Sequence, residues 1–258
     1  MKFSTVLLIF ISTLYINSAC NQSKPEQQQE PKSEAQQVID GAIAFHGLKP
    51  MDNASVDFKF REMTYSYEKE NGMYTFTRTQ TDTTGAEVVD MLKNDGLIRY
   101  IDGNEATITE ERRAAYSRSV NSVIYFLLLP YNLNDDAVIK EYLGEVSIKG
   151  KMYHEVKITF EQERGGEDFS DVFVYWFDKE DYSMDYMAYL YYTDGGGLRF
   201  REAINPRRVN GVLIQDYINM KPEDEDIDLM TINELYEEGK LIELSQIIQE
   251  DVVIEMKK

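Results

Sequence analysis

The chain has 258 residues, of which 27 are basic and 46 acidic, giving a formal net charge of −19 at pH 7. A chain this acidic lacks the positive surface that phosphate contacts require, which argues against nucleic acid as a partner and against electrostatic attraction to an anionic membrane. Its single cysteine also excludes an internal disulfide.

The N-terminal residues have the pattern of a bacterial export signal. Lys2 supplies the positive charge, and residues 6–16 form an apolar stretch that is too short to span a bilayer. Two small residues then precede Cys20, as in the lipobox that the lipoprotein signal peptidase reads. We therefore predict that residues 1–19 are a cleaved signal peptide and that Cys20 carries a lipid anchor, with an ordinary buried thiol as the alternative.

A polar segment separates the predicted anchor from the rest of the chain. Residues 20–33 are rich in Gln, Glu, Lys and Pro, and after Cys20 they contain no apolar side chain that could be buried. This composition predicts a disordered tether. Residues 34–258 contain no repeat of fixed period and no internal linker, which predicts one domain. The lipid anchor predicts an outer-membrane location, facing the periplasm or, alternatively, the cell surface.

The domain begins with a predicted helix and continues with predicted strands. Apolar residues in 34–47 recur at near-helical spacing, and Gly47 provides a stop. Alternating patterns then predict a meander of antiparallel strands, with hairpin turns such as Asn71-Gly72. These predicted strands are 56–60, 65–67, 74–79, 87–92 and 97–101.

A second helix is predicted over residues 110–129, with Pro130 beyond its end, followed by a shorter one over 135–142. The last two turns of the longer helix are apolar on all sides, so protein or an apolar ligand must cover them. We predict ligand contacts at six positions of this helix, with plain core packing as the alternative. They are Tyr116, Val120, Val123, Ile124, Leu127 and Leu128.

Strand patterns resume after residue 145 and continue toward the C-terminus. Residues 172–177 and 184–192 are apolar on both faces, which predicts strands covered on both sides of a sheet. Residues 241–256 fit either a helix or a strand, and 252–255 are predicted as strand. The remaining predicted strands are 145–148, 152–160, 198–203 and 212–217.

The sequence offers no recognisable catalytic constellation. Its two histidines, His46 and His154, stand alone, and no Gly-x-Ser-x-Gly elbow occurs. Asp178 and Asp181 are close in sequence, but a glycosidase needs a defined spatial separation between its carboxyl groups. We therefore assign no catalytic residue, cofactor or metal, and keep an envelope hydrolase acting on glycans or esters as an alternative function. A scaffold that binds another protein is a further alternative.

Two charged motifs have open interpretations. Arg199 and Arg201 alternate with Phe200 and so share one face of a strand, where they could pair with acids of a neighbouring strand or contact an anionic headgroup. The acidic run 223–228 has the opening spacing of a calcium loop, but Leu229 stands where that loop requires glycine. A solvated loop is the prediction there.

Three segments of the chain resemble a family of uncharacterised bacterial envelope lipoproteins: residues 119–145, 175–189 and 196–219. The order of elements is also similar to the half-barrel of outer-membrane lipoprotein carriers and receptors. That resemblance implies an α+β fold, with a large curved antiparallel sheet and helices packed on its concave face. It also implies an apolar ligand, a lipid or an acyl chain, between sheet and helices. The leading expectation is therefore a lipid-anchored, non-catalytic binding protein.

Overall fold

Two antiparallel sheets of seven strands each form the framework of the protein in this computed structural model. The structure describes residues 31–163, 169–224 and 227–257, except for the side chain of Asp194. The predicted signal peptide, Cys20 and the tether up to residue 30 lie outside the described residues. Across the described ranges, no helix combines the length and the apolarity needed to cross a membrane.

Helices and strands alternate in blocks along the chain. The helices of the described residues are α1 (Glu34–Phe45), α2 (Glu110–Leu127) and α3 (Ile232–Glu237). The first sheet consists of β1 (Ala54–Phe60), β2 (Met63–Glu70), β3 (Met73–Thr81), β4 (Glu87–Lys93), β5 (Gly96–Ile101), β6 (Asn104–Glu105) and β14 (Gln249–Met256). The second consists of β7 (Val138–Ile148), β8 (Lys151–Phe160), β9 (Val172–Asp178), β10 (Met184–Tyr191), β11 (Gly197–Val209), β12 (Val212–Pro222) and β13 (Leu241–Ile247).

The C-terminal segment connects the two sheets. β13 pairs with β12 in the second sheet, and after Ile248 the chain continues as β14, which pairs with β1 in the first sheet. The Gln249 backbone N–H donates to the Asp216 carboxylate at 2.9 Å, and the Asn210 side-chain amide donates to the Ile254 carbonyl at 3.1 Å. The predicted α+β half-barrel is thus confirmed, with its curved sheet divided in two at this point.

The main core lies between the inner faces of the two sheets. α1 contributes five buried residues at helical spacing to it, and its first turn is capped by the Ser33 hydroxyl, which accepts the Gln36 N–H at 3.2 Å. Val56 and Phe58 of the first sheet belong to the same apolar cluster as Tyr175 of the second. α1 and α2, the two helices that were predicted to do so, therefore pack on the concave side. The buried residues of α1 are Ala35, Val38, Ile39, Ala42 and Ile43.

The outer face of the second sheet is also covered. Trp176, Tyr186 and Phe200 pack there against Ile232 and Tyr236 of α3. The prediction that β9 and β10 are covered on both faces is confirmed. The outer cover comes from a segment to which the sequence analysis assigned no element.

The helix predicted over residues 135–142 is wrong. A short 3-10 turn ends at Asn134, and β7 begins at Val138. β7 pairs with β8 from Val138 opposite Phe160 to Ile148 opposite Lys151. Its even-numbered side chains are the less exposed ones, so the segment follows a period of two, which the sequence analysis missed.

Candidate functional site

A cavity of about 740 Å³ lies between α2 and the two sheets. One wall is α2 itself, from Glu110 to Phe126, which at 1.5 Å per residue is about 24 Å long. Phe173 and Tyr189, on β9 and β10, form part of the opposite wall. Leu97 of β5 contributes on the side of the first sheet. The cavity therefore follows the length of α2.

The polar face of α2 borders the cavity because its apolar face is already packed. Val120, Ile124 and Leu127 are buried in the core, and they follow one another at helical spacing. This leaves the opposite side of the helix, including Ser117 and Asn121, facing the space in front of the second sheet. An amphipathic helix that docks through its apolar stripe necessarily presents the other face outward from that contact.

A buried ion cluster holds the N-terminal half of α2 against the first sheet. The Asp90 carboxylate is fully buried and pairs with Arg78 at 2.6 Å and with Arg99 at 2.7 Å. Burial alone would raise the pKa of Asp90, but hydrogen bonds from the two guanidinium groups lower it below its usual value. Arg78 also donates to the Ser119 hydroxyl at 2.7 Å, and Arg99 stacks 3.5 Å from the ring centre of Tyr116. The wall of the cavity is thus fixed by charge as well as by apolar packing.

The six residues predicted to contact a ligand do not line this cavity. Four of them are buried in apolar clusters, and the other two pack against those clusters as partly buried residues. Direct ligand contact by these six side chains stays a prediction. The four buried residues are Val120, Ile124, Leu127 and Leu128, and the two partly buried ones are Tyr116 and Val123.

Sequence reasoning missed the side chains of α2 that do face the cavity. Ala114, Ser117 and Asn121 are small or polar, so hydrophobicity could not single them out. Tyr125 and Phe126 are the exception, because they belong to the apolar run that the sequence analysis had identified. Their position on the cavity side could be inferred only once it was known which face of α2 packs against the core.

Aromatic side chains from α2 and the second sheet cluster in one part of the cavity wall. Phe126 lies 5.4 Å from Tyr189 between ring centres, and Phe173 lies 5.3 Å from Tyr189 and 5.9 Å from Phe160. Charged side chains border the cavity as well, namely Glu110, Arg113, Arg118 and Asp171. The site can therefore accommodate a molecule that has an apolar portion.

Asp178 and Asp181, the pair considered for a glycosidase site, make structural contacts. The Asp178 carboxylate accepts the backbone N–H groups of Glu180 and Asp181 at 2.6 and 3.1 Å, and it pairs with Lys151 at 2.6 Å. The Asp178 carboxylate therefore stabilises the turn that follows β9. Neither Asp178 nor Asp181 borders the cavity.

His154 also lies away from the cavity. Its Nδ1 is 3.0 Å from the Tyr142 hydroxyl, and its ring stacks on Tyr182 with 5.7 Å between ring centres. Burial lowers the pKa of His154. In the part of the chain that the structure describes, no acid hydrogen-bonds to this imidazole, and no group of three or more His, Cys, Asp or Glu side chains could hold a metal ion. Residues 225 and 226 of the acidic run lie outside that part.

The sequence matches a known family over residues 26–250, described as "Family of unknown function (DUF6503)". The chain belongs to this family. The predicted resemblance to an uncharacterised family is thereby confirmed. No curated protein matches the sequence of this DUF6503 chain.

Several solved structures resemble this DUF6503 chain at low identity. A LolA superfamily protein of Nitrosomonas europaea is 12% identical, with a TM-score of 0.47, over 86% of this chain and 94% of the other. A DUF1329 protein of Desulfovibrio piger is 12% identical, with a TM-score of 0.43, over 86% and 93%. The lipoprotein LppX of Mycobacterium tuberculosis is 12% identical, with a TM-score of 0.27, over 64% and 91%. Similarities this distant carry no argument about a ligand.

Proposed function

We propose that this DUF6503 protein is a lipid-anchored envelope protein that binds an apolar ligand, a lipid or an acyl chain, without catalysing a reaction. The ligand occupies the cavity between α2 and the second sheet. Cys20 attaches the protein to the outer membrane, with the domain facing the periplasm.

One observation carries the binding proposal: a cavity of about 740 Å³ inside the half-barrel, with aromatic side chains clustered in one part of its wall. Small-molecule sites typically measure roughly 300–1,000 Å³ and are lined mainly by apolar and aromatic side chains. The apolar stripe of α2 packs against protein, so the cavity is not a consequence of an undocked helix. The space is bordered instead by Phe126, Phe160 and Phe173, which offer flat apolar surfaces to a ligand.

Two adjacent alanines of α2 allow a matched test. Ala114 borders the cavity, whereas Ala115 is exposed. We expect Ala114→Trp to fill the cavity and to weaken binding of the neutral fluorophore N-phenyl-1-naphthylamine by about tenfold or more. Ala115→Trp adds the same side chain one residue away and should leave binding unchanged.

The measurement is a fluorescence titration of the full chain carrying Cys20→Ala, so that no attached lipid competes. Circular dichroism and a melting curve check that each variant is folded. Equal binding by both tryptophan variants would place the fluorophore elsewhere and contradict the proposal. Organic extraction of the unmodified protein, followed by mass spectrometry, then identifies the ligand that it carries in the cell.

A further inference from the structure

Arg201 on β11 is a buried cation one layer behind the wall of the cavity, which it does not itself border. Its side chain is 8% exposed, and its guanidinium lies 3.9 Å from the ring centre of Phe126 and 5.2 Å from that of Tyr189. It donates one hydrogen bond, to the Tyr189 hydroxyl at 2.9 Å. Phe126 and Tyr189 both border the cavity. Only the side chains that Arg201 contacts, Phe126 and Tyr189, therefore separate the positive charge from the cavity.

No acid neutralises this charge among the described residues. No Asp or Glu oxygen there lies within salt-bridge distance of Arg201, and its Nε has no hydrogen-bond partner. Arg78 and Arg99, by contrast, share the buried Asp90. Arg199, two residues earlier on the same face of β11, donates to the Leu198 carbonyl and to the Tyr191 hydroxyl, both at 2.8 Å. A buried charge without a counterion is costly, so its presence calls for a negative group from outside the protein.

Two buried hydroxyls lie in the same region. Tyr175 stands in register with Met187, which in turn stands opposite Arg201, so the three residues form a row across β9, β10 and β11. Tyr125 of α2 borders the cavity, and Tyr175, which is fully buried and does not border it, lies beside Tyr125. Neither hydroxyl makes a hydrogen bond of normal geometry with a described residue. Burial raises the pKa of both tyrosines, so both remain donors.

We propose that the ligand of this cavity is an anionic amphiphile whose carboxylate binds Arg201, Tyr125 and Tyr175. This inference rests on the proposed function and names the chemical class of its ligand. A carboxylate accepts several hydrogen bonds at once and pairs with a guanidinium through two of them. The aromatic side chains around it contact the apolar part of the same molecule.

A carboxylate fits this site better than a phosphate monoester does. Arg201 supplies one positive charge, which a monoanion balances, whereas a phosphate monoester carries about −1.5 to −2 charges at pH 7. Arg118 and Arg113 also border the cavity, but they precede Phe126 on α2 by eight and thirteen residues, about 12 and 20 Å along the helix. The excess negative charge beside Arg201 would therefore have no second cation next to it. The two tyrosine hydroxyls can donate to the anion but cannot neutralise it.

The test compares hexadecanoate with hexadecan-1-ol, which has the same chain without the charge. We expect the full chain carrying Cys20→Ala to bind the acid about tenfold more tightly or better, because hydrogen bonds to charged groups are the stronger ones. Arg201→Met should reduce binding of the acid to the level of the alcohol while leaving binding of the alcohol unchanged. Arg199→Gln, the control on the same strand face, should keep the preference for the acid.

The melting temperature distinguishes a ligand-binding role of Arg201 from a purely structural one, because the two roles predict opposite effects of Arg201→Met. Without added ligand, Arg201→Met should melt at the same temperature as the parent or higher, because the substitution removes an unpaired buried charge. Added hexadecanoate should raise the melting temperature of the parent more than that of Arg201→Met, which should respond to the acid only as much as to the alcohol. A large drop for Arg201→Met alone would make Arg201 a structural residue and overturn the inference.

The outcomes separate this inference from the proposed function. If the parent protein binds neither the acid nor the alcohol, the proposed function fails and the inference fails with it. Equal affinity for both, or tighter binding of hexadecyl phosphate, overturns the carboxylate assignment and leaves apolar binding in place. Loss of the acid preference in Arg199→Gln as well as Arg201→Met would also overturn it, because the effect would then follow total charge.

Discussion

His46 shows how a single buried side chain links the first helix to the second sheet. It is the C-cap of α1 and is fully buried. Its Nε2 accepts the Met184 backbone N–H at 3.1 Å, and its carbonyl accepts that of Leu213 at 2.8 Å. Burial, helped by the nearby Arg208, lowers the pKa of His46 to about 4. The imidazole is therefore neutral in the folded protein at neutral pH.

This burial predicts a pH dependence of stability. Between pH 6.5 and about 4 the unfolded chain binds a proton at His46 that the folded protein does not, so the unfolding free energy falls as the pH falls. The full loss is roughly 3 kcal/mol. His46→Gln keeps an acceptor for the Met184 N–H and has no titrating ring, so the variant should lose stability less steeply over this range. Urea unfolding at pH 7.5, 6 and 4.5 measures the two slopes, and parallel slopes would contradict the assignment.

Gly47 and Gly72 form a natural pair for testing how α1 meets the second sheet. Both have positive φ, +73° and +79°, but a Cβ at Gly47 would clash with the backbone carbonyl oxygen of Gly211, whereas a Cβ at Gly72 would meet nothing within 4 Å. Each alanine substitution costs roughly 1–2 kcal/mol from the left-handed backbone. Gly47→Ala should lose a further 1–3 kcal/mol or so from the clash. Chemical denaturation of both variants measures the difference, and equal losses would mean that the contact of α1 with the β11–β12 turn is not close.

At the scale of elements, the sequence predicted those whose side chains repeat one clear period. α1, the β1–β5 meander and both faces of β9 follow directly from residues 34–47, 56–101 and 172–177. The first part of β7, residues 138–142, was mistaken for a helix because Lys140 occupies one of its less exposed positions and hides the alternation, whereas residues 145–148 were correctly predicted as strand. Its strand structure depends on pairing with β8, a tertiary contact that the local sequence does not encode.

The candidate site was predictable only in part for a related reason. The sequence identified α2 and its apolar run, but a buried stripe and a ligand-facing stripe look alike in a list of residues. Which side faces the cavity depends on the docking of α2, and that docking depends on Asp90 and the two arginines of the first sheet. The open interpretation of Arg201 likewise needed its neighbours, because pairing with an acid is a property of the adjacent strands.

At the scale of the molecule, two helices share the concave side unequally. α1 packs its apolar residues into the core, and its end meets the β11–β12 turn. α2 packs through one face and leaves the other toward the second sheet. The half-barrel is thus filled in one part and hollow in another, and the cavity with its aromatic side chains lies inside a chain that is acidic as a whole.

The acidity of the whole chain leads to a prediction about membrane attachment. With a net charge of −19, the protein is repelled by anionic lipids, so electrostatic attraction cannot hold it at a membrane. Attachment should depend on the acyl chains proposed at Cys20, since several chains together hold a protein durably. We expect the wild-type protein to stay in the membrane fraction through a wash at high salt, and Cys20→Ala, exported with a cleavable non-lipoprotein signal in place of residues 1–19, to appear in the soluble fraction. Ser18→Ala, a neighbouring control with a small residue retained, should behave as the wild type. Retention of Cys20→Ala in the membrane fraction would mean that a contact other than the lipid holds the protein there.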